Sequence, residues 1–135
     1  MIGLDTNILV RYLTQDDVRQ AALASRLIEN DLTTVNPGFI SLVVLAELCW
    51  VLSRLYSATM DELADMIGDL LSTSQIQVER REVVQAAIRR FKQGKNRKAG
   101  LVDVLIAELA NSEGCASTVT FDKAAVRVAG MTLLA

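Results

Sequence analysis

The chain has 135 residues, 51% of them hydrophobic, and a formal net charge of −2, which suits a single folded domain over residues 1–135. It contains no histidine, which excludes His-based catalytic triads and the usual zinc sites. Two cysteines, no signal-peptide pattern and no apolar run long enough to span a bilayer predict a cytoplasmic protein with no membrane partner.

Short apolar runs alternate with amphipathic segments along the chain. The first part is predicted to form a strand at 2–4, a helix from about residue 8, a helix at 16–30, a strand at 39–40, and helices at 42–56 and 61–71. The rest is predicted to form a strand at 76–78, helices at 82–93 and 101–112, and strands at 117–121 and 131–134. This alternation predicts an α/β fold with a parallel sheet covered on both faces. In the helix at 16–30, the spacing predicts a buried side made of Val18, Ala22, Leu23 and Leu27.

Four acidic residues lie in apolar sequence surroundings: Asp5, Glu47, Asp103 and Asp122. A carboxylate drawn toward an apolar core is costly unless it is paired, and several carboxylates in one place raise each other's pKa. A shared divalent cation relieves both costs, and a ligand set made only of oxygen favours Mg²⁺ or Mn²⁺. Each acid taken alone is better explained by a structural role: Asp5 as a helix cap, Asp122 as a turn residue, Asp103 as a first-turn partner of the helix dipole and Glu47 as an edge residue. All four together favour one shared site.

Short polar side chains adjoin two of these acids. Thr6 and Asn7 follow Asp5 directly, and Thr120 precedes Asp122 by two residues. Such groups beside a metal-binding carboxylate hold its free oxygen or orient a water. They are equally common as caps and turn residues, so both interpretations stay open.

Basic residues are concentrated between residues 80 and 98, where Glu82 is the only acid. A basic edge on an otherwise acidic chain favours a polyanionic partner approached from one side. A solvated helix face followed by a loop explains the same pattern. If the partner is a polyanion with a phosphate backbone, the predicted phosphate contacts are Arg89, Lys95, Arg97 and Lys98.

The sequence around each acid resembles the corresponding motif of PIN-domain ribonucleases. The matching segments are IGLDTNILV at 2–10, LAEL at 45–48, VDVLIA at 102–107 and TFD at 120–122. In order and spacing they are similar to the VapC toxins of bacterial VapBC toxin–antitoxin pairs. The resemblance extends over almost the whole chain.

This resemblance implies a three-layer α/β/α fold with a central parallel sheet and a Mg²⁺- or Mn²⁺-dependent endoribonuclease acting on tRNA or rRNA. It implies a homodimer and a VapB-type antitoxin whose tail blocks the cleft. It also makes Asp5, Glu47, Asp103 and Asp122 the catalytic, metal-binding quartet, with Thr6, Asn7 and Thr120 beside them. One position departs from the pattern: many relatives have a further acid three residues before the third acid, where this chain has Gly100.

Three other interpretations compete with this one. A haloacid-dehalogenase-like phosphatase needs a second Asp at position 7, where this chain has Asn7. A receiver domain needs paired acids at the end of its first strand and a late lysine, and it gives Glu47 no role. A catalytically degenerate PIN domain that only binds RNA or protein is separated from a nuclease by the dependence of cleavage on a divalent ion.

Overall fold

The computed structural model describes residues 1–94 and 100–134. Backbone contacts divide the chain into two compact units. The first consists of Met1–Ala58 and Asp69–Glu79, and the second of Thr59–Gly68 and Arg80–Ala135. Each unit contains helices and a parallel sheet of its own.

The first unit contains a three-stranded parallel sheet in the order β1-β2-β3. Its pairing register places Gly38 between Ile2 and Ile76 on the two neighbouring strands. Helix α4, Met60–Ser72, contributes residues to both units. The elements of the first unit are β1 (Ile2–Gly3), α1 (Thr6–Thr14), α2 (Val18–Arg26), a π-helical turn (Leu27–Asp31), β2 (Gly38–Ile40), α3 (Leu42–Leu55) and β3 (Ile76–Val78).

The second unit contains a two-stranded parallel sheet, in which Val119 of β4 pairs with Thr132 of β5. Its elements are α5 (Arg81–Gln93), α6 (Leu101–Ser112), β4 (Val119–Thr120), α7 (Lys123–Ala129) and β5 (Thr132–Leu133). Helix α7 was not predicted from the sequence; it is only seven residues long and buries two small side chains, Ala125 and Ala129.

Every described strand pair is parallel and the strands alternate with helices, which confirms the predicted α/β class. The predicted strand at 76–78 and helix at 101–112 have the predicted bounds. Among the described residues, no helix combines the length and the apolar character needed to cross a membrane.

The predicted buried side of α2 is wrong. Val18 is 87% exposed and Leu23 59% exposed, while the buried residues of the helix are Ala21 and Ala24. Helix α2 packs against α1, and small alanine side chains allow two helices to approach closely. The spacing of apolar residues predicted the helix correctly, but it was compatible with burial of either of two helix faces. Of the four residues predicted to be buried, Val18, Ala22 and Leu23 are exposed and Leu27 is half-buried.

The core of each unit is aliphatic, as the low aromatic content predicts. Its largest fully buried side chains come from helices and from the middle of the sheet, where apolar burial supplies most of the stabilisation. In the first unit these are Leu9, Ile28, Ile40, Leu45 and Leu48, and in the second they are Leu63, Ile67, Val84 and Val104.

The two cysteines should react very differently with a thiol reagent. Cys49 of α3 is buried, and burial raises the pKa of its thiol to about 12, whereas Cys115 is exposed. Because the thiolate is the reactive form, we expect one fast-reacting thiol in the native protein and two after denaturation. Cys115→Ser should remove the fast reaction with Ellman's reagent and Cys49→Ser should leave it. Two fast thiols in the native protein would contradict the burial of Cys49.

Candidate metal-binding carboxylates

Asp5 lies at the junction between β1 and α1, where it caps the helix. Its backbone is extended, with φ −79° and ψ 160°, and its Oδ1 accepts a hydrogen bond from the Thr6 N–H at 2.8 Å. A short carboxylate is favoured here because the first N–H groups of a helix have no partner within the helix. The other carboxylate oxygen accepts no hydrogen bond within residues 1–94 and 100–134, so the capping role leaves it available.

Thr6, next to Asp5, has a buried hydroxyl oxygen without a hydrogen-bond partner among the described residues. The residue is 5% exposed. Burying a hydroxyl without a partner costs about 1–3 kcal/mol. A water or an anionic oxygen held at this position would satisfy the hydroxyl, which fits the predicted role of Thr6 beside a metal-binding acid.

Glu47 lies in the middle of α3 with an exposed carboxylate that makes no hydrogen bond or ion pair to any described residue. Helix α3 begins after Ser41, whose Oγ accepts from the Val44 N–H at 3.1 Å. Glu47 and Asp5 line the same open cleft, whose volume is about 350 Å³. The remaining lining residues are Thr6, Asn7, Val10, Arg11, Val51, Leu55 and Tyr56. The structure thus brings together four of the predicted site residues.

The cleft also contains a polar cluster that the sequence analysis missed. The Arg11 guanidinium contacts both oxygens of Asp16 at 3.1 Å, and the Tyr56 hydroxyl donates to Asp16 at 2.5 Å. Hydrogen bonds from Tyr56 and Thr14, together with the Arg11 charge, lower the pKa of Asp16. Asp16 therefore offsets part of the positive charge beside Asp5 and Glu47. The position of Arg11, one helical turn after Asn7, could have predicted that its side chain lies near the cleft. Its contact with Tyr56, which is distant in the sequence, could not be predicted from any local pattern.

In the second unit, Asp103 lies in the first turn of α6 and is half-buried. Its carboxylate makes no hydrogen bond or ion pair to any residue that the structure describes. Burial raises the pKa of Asp103 and the negative charge of Asp122 raises it further, so the two acids are electrostatically coupled. Bringing a cation to such a pair would relieve both effects.

Asp122 caps α7 in the way that Asp5 caps α1. Its Oδ1 accepts from the Ala124 N–H at 2.9 Å. Its own N–H donates to the Thr120 Oγ1 at 3.0 Å. Thr120 therefore fixes the backbone that carries Asp122, which gives this predicted neighbour a positioning role. The second oxygen of the Asp122 carboxylate accepts no hydrogen bond from any described group.

The expectation that all four acids are drawn toward the core is wrong for three of them. Asp5, Glu47 and Asp122 are exposed, and only Asp103 is half-buried. The apolar neighbours of Glu47 point elsewhere, because Leu45 and Leu48 lie on the buried side of α3. Within either unit, the described residues place no three His, Cys, Asp or Glu side chains around one point. Each unit does supply two acids with free oxygens, the donor type that Mg²⁺ and Mn²⁺ prefer.

Gly100 is the N-cap of α6, three residues before Asp103. Its backbone conformation is unfavourable for any residue with a Cβ. Its φ is +100°, and a Cβ built on it would lie 2.5 Å from Cγ1 of Val128. The position where the resemblance places a further acid is therefore closed by the local packing of the second unit.

Most described members of the basic segment are engaged in ion pairs. Arg80 contacts Glu113 at 2.7 Å, and Lys92 contacts Asp65 at 2.9 Å. Arg90 contacts Glu108 and donates to the Ala129 carbonyl. Two arginines of α5 are exposed and have no partner among the described residues, namely Arg81 and Arg89. Of the four predicted phosphate contacts only Arg89 is described, since Lys95, Arg97 and Lys98 lie outside the described residues.

Comparison with known families gives one match. A family model described as the PIN domain matches residues 2–131, a range that includes all four acids and parts of both units. No curated protein sequence matches the chain.

Proposed function

Because the chain belongs to the PIN-domain family, whose members are typically nucleases, we propose that it is a Mg²⁺- or Mn²⁺-dependent endoribonuclease. We further propose that it is the toxin of a VapBC-type toxin–antitoxin pair. The observation that carries the proposal is the state of the four carboxylates. Within the described part of the chain, none is neutralised by a cationic side chain, and Asp103 is held close to a like charge.

We assign the four acids different roles in metal binding and catalysis. Asp5, Asp103 and Asp122 would hold the ion, and Glu47 would bind it directly or orient the attacking water. When bound, the ion lowers the pKa of a water and stabilises charge on the phosphate and the leaving oxygen. Thr6 and Asn7 would position Asp5 and its ligands. This shared site is inferred from the order of the four acids and from family membership.

RNA binding would use basic residues of the segment from 80 to 98. Neutralising Arg89, Lys95 and Arg97 together should weaken RNA binding and reduce the slope of log K against log salt by about 2, since each phosphate contact to a single strand contributes about 0.7. As a control, Arg19→Gln with Arg26→Gln removes exposed charges from α2. A triple variant with the wild-type slope in filter binding would refute this role.

The proposed protein partners are a second copy of the chain and a VapB-type antitoxin. Exposed apolar side chains on α2 support a protein partner because one of them adjoins an apolar cleft, and contiguous apolar surface is typical of interaction sites. They include Val18 and Leu23, and Leu23 also lines an apolar cleft of about 360 Å³ with Ile8 and Leu27.

Two experiments test the proposed function. Purified protein should cleave RNA with Mg²⁺ or Mn²⁺ and stop when EDTA is added; a degenerate domain would bind RNA in both conditions and cleave in neither. Induced expression should arrest growth and produce new RNA 5′ ends at defined positions, and co-expression of the proposed VapB-type antitoxin should reverse the arrest. Cleavage without growth arrest would retain the nuclease and overturn the toxin role.

A further inference from the structure

The only tryptophan of the chain is unusually accessible. Trp50 lies on α3 and is 57% exposed, although tryptophan buries more apolar area than other side chains when it finds a partner. The guanidinium of Arg54 lies over its ring, 5.2 Å from the centroid. This cation–π contact joins residues one turn apart and limits the motion of the ring. The result is an accessible aromatic ring with a positive charge over one of its faces.

Trp50 is also close to the candidate site along the helix. Glu47, Trp50 and Arg54 are spaced by three and then four residues, so they lie on one face of α3. At about 1.5 Å per residue, Trp50 is about 4.5 Å further along the helix axis than Glu47. Successive nucleotides of a stacked strand are about 3.4 Å apart. A phosphate bound through the proposed divalent ion at Glu47 therefore places the neighbouring base within reach of Trp50.

We propose that Trp50, supported by Arg54, is a stacking platform for an unpaired RNA base beside the scissile phosphate. Aromatic rings and arginine planes bind unstacked bases in this way, and a paired duplex offers no free base face. The inference rests on the proposed ribonuclease function, which supplies the phosphate at Glu47.

The charges on this face favour RNA over a second protein copy. A protein interface covering Trp50 would also cover the exposed Glu47 carboxylate, which has no partner among the described residues, and burying an unpaired charge is costly. A single base stacked on Trp50 would cover less of this face than a protein would, so Glu47 would keep contact with water and ions, and the Arg54 charge suits a phosphate backbone.

The single tryptophan makes a direct test possible. A short single-stranded oligoribonucleotide should quench the protein's tryptophan emission in Ca²⁺ buffer, and its perfect duplex should not. Affinity for the single strand, measured by anisotropy of labelled RNA, should fall about 5- to 150-fold in Trp50→Ala. Trp50→Phe should restore most of the binding. Val43→Ala is the matched control, because Val43 is 79% exposed on the same helix face but is not aromatic.

The outcomes separate this inference from the proposed function. Tight RNA binding without quenching, or equal affinity in Trp50→Ala, would overturn the platform while Mg²⁺-dependent cleavage by the wild type still supports the nuclease. Quenching that depends on Trp50 in a protein that never cleaves RNA would support the platform and refute the nuclease. If Trp50→Ala and Val43→Ala both dissociate a dimer without changing RNA affinity, the face binds a second copy and the platform is wrong.

Discussion

Asp103→Asn is expected to raise the melting temperature of the metal-free protein and to abolish RNA cleavage. Ionised Asp103 is half-buried and lies near the charge of Asp122, and both effects raise its pKa. Asparagine keeps the shape and removes the charge, so the fold loses a repulsion. Cleavage should fall by at least about 100-fold, because even a residue behind a metal ligand typically contributes about 10- to 100-fold.

The same substitution has a predictable pH dependence. The pKa of Asp103 in the folded protein lies above the usual 3.8, so ionisation of this group opposes folding. Its contribution to stability is fully present below the unfolded pKa and is lost as pH rises through the folded pKa. The difference in melting temperature between Asp103→Asn and wild type should therefore be largest at neutral pH and vanish in acid.

The matched control is Asp31→Asn, which neutralises an exposed acid without a partner among the described residues. It should change neither melting temperature nor cleavage. Thermal melts in EDTA and in Mg²⁺ provide the measurement: wild type should gain stability from Mg²⁺ and Asp103→Asn should not. A lower melting temperature in EDTA, or cleavage within tenfold of wild type, would contradict the role assigned to Asp103.

Gly100→Asp should lower the free energy of unfolding by about 2–5 kcal/mol, although it introduces the acid that the resemblance places at this position. A residue with a Cβ is strained at φ +100°, and that Cβ would lie 2.5 Å from Cγ1 and 3.0 Å from Cβ of Val128. The backbone term is about 1–2 kcal/mol and the overpacking term about 1–3 kcal/mol.

Urea denaturation of alanine variants separates these two terms. Gly114 has φ +93° with no atom within 4 Å of a built Cβ, so Gly114→Ala reports the backbone cost alone. Gly100→Ala should be less stable than Gly114→Ala. The double variant Gly100→Ala with Val128→Ala should be more stable than the sum of its two single effects predicts, by about the difference between the two glycine variants. Equal stabilities of the two glycine variants would show that Val128 does not close this position.

The order of helices and strands was predictable because apolar periodicity depends on local sequence. The seven-residue α7 was missed, since two turns are too short to show a period. The buried side of α2 was also mispredicted, because packing against α1 selected small alanines over larger Val18 and Leu23. The spacing of apolar residues indicates the possible buried faces of a helix, and tertiary contacts decide which face is buried.

The candidate site was predictable in its residue types and less so in its surroundings. Helix capping by Asp5 and Asp122 follows from local backbone chemistry. The cap interpretation of Asp5 is confirmed, and Asp122 is a helix cap rather than a turn residue. The exposure of these two acids could not be predicted, because the apolar residues beside an acid in the sequence do not fix the direction in which its side chain points. The contact between Arg11 and Tyr56 depends on residues 45 positions apart, which no local pattern predicts.

The proposal that all four acids serve one metal site is tested most directly by Mn²⁺ titration followed by electron paramagnetic resonance. Wild type, Asp5→Asn, Asp103→Asn and the double variant would be compared, with one acid changed in each unit. If the acids share a site, each single variant loses most of the Mn²⁺ affinity and the double variant loses little more. Independent, additive losses, or an Asp5→Asn variant that binds Mn²⁺ as tightly as wild type, would contradict the shared site.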